Sequence, residues 1–104
     1  MQSIAIADNQ LESVEAGTKT IVIRLGYCSI QLGPLHVRSV SGFWPTANVN
    51  VLAIDRKPIS SLTTEELRQN GYADPKNMVE MLKSMHPCVS TDTEATVIRW
   101  ERQA

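Results

Sequence analysis

The chain has 104 residues, 42% of them apolar and 20% charged, with a formal net charge of −1. That length suits one domain with its own core and leaves no room for two, and the apolar content excludes intrinsic disorder. A charge this close to zero also excludes a global positive field for nucleic acid, so any RNA contact must rest on a local patch.

Residues 1–7, MQSIAIA, lack the basic start and apolar centre of a secretory leader. No apolar run approaches the ~20 residues of a membrane span. The expected setting is the cytoplasm, with no membrane partner. Asp8 or Asn9 is placed to cap a short helix through Leu11, Val14 and Glu15, which Gly17 stops. Residues 18–25, TKTIVIRL, are rich in β-branched side chains and predict a strand. In that strand Ile21, Ile23 and Leu25 share one face, while Thr20, Val22 and Arg24 share the other. Gly26–Tyr27 predicts a turn. Cys28, Ile30 and Leu32 alternate with polar residues and predict a second strand. Gly33–Pro34 breaks it, and residues 35–40 predict a third.

Residues 41–48, SGFWPTAN, read as a loop carrying Phe43 and Trp44; residues 49–54 read as a strand stopped by Pro58. Thr63-Thr64-Glu65-Glu66 is a capping box opening a helix that Asn70–Gly71 closes. Asp74–Pro75 starts another. In it Met78, Met81, Leu82 and Met85 have the spacing of one buried face, and His86–Pro87 ends it. Residues 94–100 predict a closing strand. Short strands with few crossover helices predict an α+β fold, a mainly antiparallel β-barrel with about three short helices.

Cys28, His36, His86 and Cys88 do not have the spacing of a zinc ribbon or finger, so two free thiols and no metal are expected. The sequence holds no G-x-S-x-G turn, phosphate loop or H-E-x-x-H helix. Its most informative stretch is Gly17 to Arg24. Lys19 and Arg24 are donors suited to phosphate or carboxylate, and Thr20 adds a hydroxyl. The alternative reading of the same residues is a solvated, charged strand edge.

Gly17-Thr18-Lys19-Thr20 followed by Arg24 resembles the G-x-K-T-x-x-x-R signature of the ASCH family, whose barrel is related to PUA domains. The later elements follow in the family's order, so the resemblance covers roughly residues 11–101 of a single domain 1–104. It implies RNA or modified-nucleoside binding in a cleft lined by the first motif. One small bacterial branch hydrolyses the amide of N4-acetylcytidine with a lysine, a threonine and a glutamate. By position the lysine falls on Lys19, the threonine on Val22 and the glutamate on Asn70. Val22 has no nucleophilic oxygen and Asn70 cannot act as a general base.

Stacking on bases requires aromatics, and Trp44 and Tyr72 are the candidates; Arg38, Arg56, Lys57 and Arg68 are candidates for a basic rim. The expected function is a noncatalytic, monomeric module without cofactor, holding RNA or a nucleoside-like ligand through Lys19, Thr20 and Arg24. Two alternatives stay open. One is an amidohydrolase with a rearranged site, using Lys19 and Thr20 with Glu65 or Glu66. The other is a protein-interaction domain that docks a partner through Phe43–Trp44.

Overall fold

The computed structural model describes residues 2–42 and 46–103. Along the chain run β1 (Ser3–Ile6), α1 (Asp8–Glu15), β2 (Ile21–Leu25), β3 (Gly33–Ser39) and β4 (Ala47–Pro58). A 3-10 turn (Ile59–Ser61), α2 (Thr64–Gln69), α3 (Pro75–Leu82) and β5 (Glu94–Arg102) follow. The strands hydrogen-bond in the order β1-β3-β4-β5-β2. β1 runs parallel to β3, with Ile4 opposite Val37, while β3 and β4 are antiparallel, with Leu35 opposite Val49.

The described residues fall into two compact units. One is drawn from residues 2–20, 30–42, 46–54 and 98–103, the other from 21–29 and 55–97, so β4 and β5 each supply both. In the first, Ile4, Ile6, Leu11, Val14, Leu35, Val37, Val49 and Trp100 are buried. β1 was not expected as a strand, although its Ile4–Ile6 alternation is a strand signal. α1 ends in a Schellman motif: Thr18 N–H donates to Ser13 C=O at 3.0 Å and Gly17 N–H to Val14 C=O at 3.1 Å. That motif requires a left-handed residue, and Gly17 has φ +80°. The start of α1 differs from expectation. Its N-cap is Ala7 with no side-chain cap, and Asp8 instead accepts from Ser41 N–H at 3.2 Å.

No strand forms over residues 28–32. Gln2 competes for that backbone: Gln31 N–H donates to its Oε1 at 2.9 Å, and its Nε2 donates to Gln31 C=O at 2.8 Å. Leu32 is left exposed.

In the second unit Ile21, Ile59, Leu62, Leu67, Met78, Val79, Val89, Ala95 and Val97 form the core. α2 begins with the predicted capping box, with Thr63 Oγ1 accepting from Glu66 N–H at 3.2 Å and Glu66 Oε1 accepting from Thr63 N–H at 2.8 Å. It ends in a second Schellman motif through Gly71 (φ +83°), with Tyr72 N–H bonded to Leu67 C=O at 2.9 Å.

α3 departs from its predicted face. Met78 and Val79 are buried, but Met81 is 56% and Met85 78% exposed. Pro87 explains the early stop. It disfavours helical backbone at His86, and its ring would meet the Lys83 carbonyl, so the helix ends at Leu82 and Met85 falls outside it. Val79 replaces Met81 because the apolar arc is centred between Met78, Val79 and Leu82 rather than on the methionines.

The barrel does not form either. Among the described residues the five strands pair in one sheet, with β1 and β2 at the ends of the order and no closure into a barrel. One edge strand, β2, has polar backbone groups bonded to side chains at the end of α2 and its cap. Ile21 N–H donates to Gln69 Oε1 at 3.1 Å and Ile23 N–H to Asn70 Oδ1 at 3.3 Å, while Asn70 Nδ2 donates to Ile21 C=O at 3.2 Å. At Ile21 and Ile23 these bonds compete with pairing to another strand.

Candidate functional site

Lys19 and Thr20 lie in the link between α1 and β2, within the first unit. The Schellman turn is followed by a third bond to Ser13 C=O, from Lys19 N–H at 3.1 Å, which directs the chain inward. Lys19 is 4% exposed. Its carbonyl accepts the Trp100 indole N–H at 2.9 Å, and the Thr20 carbonyl accepts the Trp100 backbone N–H at 2.9 Å. Lys19, expected to supply a point charge in a cleft lined by the motif, is a buried residue whose backbone carbonyl is held by an equally buried tryptophan. Thr20 is half-buried.

Arg24 lies on β2 in the second unit and is half-buried. Burial lowers the pKa of its guanidinium from the ordinary arginine value, opposed by the nearby Cys28. Tyr72 is the residue after the Schellman glycine, where an apolar contact with the last helical turn is usual. Its ring packs against the unit's core, and burial raises its phenol pKa. Trp44 and Phe43 lie outside the described residues.

The positions relevant to catalysis have the following surroundings. Val22 is buried. Asn70 spends its carboxamide on β2 and on Glu66 C=O, 2.9 Å from Nδ2. Glu66 is a buried carboxylate. Burial alone would raise its pKa, but hydrogen bonds from Lys57 and Thr63 and the Lys57 charge outweigh that and hold it below the ordinary carboxylate value. Lys57 Nζ stands 2.8 Å from Oε1 and 3.1 Å from Oε2. A general base has to accept a proton near its working pH, and these contacts favour the ionised form. Glu65 takes two bonds from Arg68, Nε to Oε2 at 2.9 Å and Nη2 to Oε1 at 2.6 Å.

Two of the four cations expected on a basic rim thus face acids, Lys57 with Glu66 and Arg68 with Glu65. Arg38 and Arg56 are exposed. Cys28 and Cys88 are free thiols, and among the described residues no three metal-ligating side chains cluster. An open groove of about 510 Å³ is bordered by Leu25 and Gly26 on one side and Met85, His86 and Cys88 on the other. None of the predicted site residues lines it. No helix among the described residues is long and apolar enough to cross a membrane.

The fold is ASCH-like. The ASCH domain of Lactobacillus crispatus JV V101 superposes with a TM-score of 0.68 at 10% identity, over 97% of this chain and 79% of that one. The Enterococcus faecalis V583 protein EF3133, of the family DUF984, gives 0.67 at 11% identity over 99% and 76%. The hypothetical protein PH0355 gives 0.59 at 18% identity over 98% of both chains. No protein-family model and no curated protein matches the sequence.

Proposed function

We propose that the chain is a noncatalytic module that binds single-stranded RNA or a nucleotide-like piece of it. The observation that carries this reading is Arg24, a half-buried cation on β2 of an ASCH-like fold. Arginine keeps its charge in proteins and presents several N–H donors in a fixed plane, which suits a phosphate or a base edge. Partial burial strengthens such a contact, because less water competes for the donors. Lys19 and Thr20 contribute differently from Arg24: the first is anchored by Trp100 and sets the path of the chain into β2.

Three positions support the absence of turnover. Val22 has only methyl groups at the position where the resemblance would put the threonine hydroxyl. Asn70 and Glu66 hold the β2 edge and the α2 cap. Neither is poised to exchange a proton with a substrate.

The test is a titration of a short labelled RNA at two salt concentrations. Arg24→Ala is expected to weaken binding about tenfold or more and to reduce the salt slope by about one. Unchanged affinity would remove Arg24 from the site. Release of cytidine from N4-acetylcytidine, lost in a folded Lys19→Ala variant, would overturn the noncatalytic reading.

A further inference from the structure

Just beyond β2 the chain turns through Gly26, in a left-handed conformation with φ +70°. Two bonds fix the turn to β5: Thr96 Oγ1 donates to Gly26 C=O at 2.6 Å, and Gly26 N–H donates to Glu94 C=O at 2.7 Å. The next residue, Tyr27, is 73% exposed. From β4, Arg56 places its guanidinium over the tyrosine ring, with Cζ 4.5 Å from the centroid. Arg56 Nη2 also donates to Cys28 C=O at 3.1 Å. Arg56 is therefore tied both to the ring and to the backbone beside it. Residues 24–28 and 55–58 belong to the same unit.

An exposed tyrosine in a mobile loop would need no explanation. This one sits after a turn bonded to the sheet and has a cation stacked on it, while most of its ring stays open to solvent. Such a ring offers a π surface on which any base can stack, and a guanidinium beside it attracts the attached phosphate. Asp55, the acid next to Arg56, shares Lys57 with the closer Glu66, at 3.8 Å against 2.8 Å, so its charge is only partly offset. An apolar protein partner would find a cation and a carbonyl around the ring rather than an apolar surround. The charge and the aromatic surface together fit a nucleotide unit.

We propose that Tyr27 and Arg56 form a base-stacking platform for single-stranded RNA, in which a base lies on the open part of the Tyr27 ring and Arg56 meets the adjoining phosphate. The platform rests on the RNA-binding reading above and supplies the stacking residue of that site. Arg56 is a basic-rim candidate from sequence, but its pairing with Tyr27 is not readable from spacing, since residues 27 and 56 meet only through the fold.

The experiment compares two labelled probes of equal length, a mixed-sequence RNA and an abasic oligoribose-phosphate, against the unaltered protein, Tyr27→Ala, Tyr27→Trp and Arg24→Ala. Stacking of one base corresponds to a change of about 5- to 150-fold in affinity. Tyr27→Ala is expected to lose that much for RNA and nothing for the abasic probe. Tyr27→Trp is expected to keep or strengthen RNA binding. Tyr27 is exposed, so its replacement leaves the core intact, and the abasic probe reports any general loss of fold. If Arg24→Ala abolishes RNA binding while Tyr27→Ala leaves it unchanged, the platform is overturned and the Arg24 site stands. If the unaltered protein binds neither probe, both are overturned. Equal losses on both probes would also overturn stacking.

Discussion

The two helices α2 and α3 start alike and end differently. Both have a side-chain cap: Thr63 reciprocated by Glu66, and Asp74 accepting from Asn77 N–H at 2.7 Å ahead of Pro75. From there α2 is tied at its far end to β2 through Gln69 and Asn70, while α3 stops at Leu82 with Met81 facing solvent. Caps are decided within one turn of sequence. The end of a helix and the face it buries depend on what the rest of the chain brings to it, and here one helix received a strand edge while the other met a proline.

Three substitutions probe that contrast. The largest effect is expected at Met78, 2% exposed in the core beneath α3. Met78→Ala should cost about 2–5 kcal/mol, through lost transfer energy and a residual cavity, measured by urea unfolding. Asn70→Ala should cost about 1–3 kcal/mol, because Ile23 N–H and Ile21 C=O lose their partner at a half-buried edge. A loss near zero would show that water replaces the amide and that α2 does not hold β2. The smallest effect is expected at Met81, where Met81→Gln should stay within about 0.5 kcal/mol. A cost comparable to Met78→Ala would restore the methionine stripe as a buried face.

What could be read from the sequence was local. The Thr63 box and the stops at Gly17 and Gly71 each involve residues within six positions of one another, and each forms as read. The ASCH-like fold was legible through a short motif, although the motif's residues take different parts: Lys19 is buried and Arg24 half-buried. Long-range partners were not legible. Nothing in the spacing indicated that Gln2 would claim the backbone of Gln31, or that Asn70 would bond a strand 47 residues earlier. Residues 28–32 alternate as a strand should, but alternation indicates only that a segment can pair. α3 was misread because Pro87 acts on the turn before it, not at its own position.

The amides of α2 along β2 bear on self-association. Exposed strand edges recruit other chains, and proteins usually blunt them with charge, proline or a bulge. Here a helix supplies the blocking groups, so protection lasts only while that helix stays docked. Displacing α2 would uncover backbone groups of an Ile-rich segment, IVI.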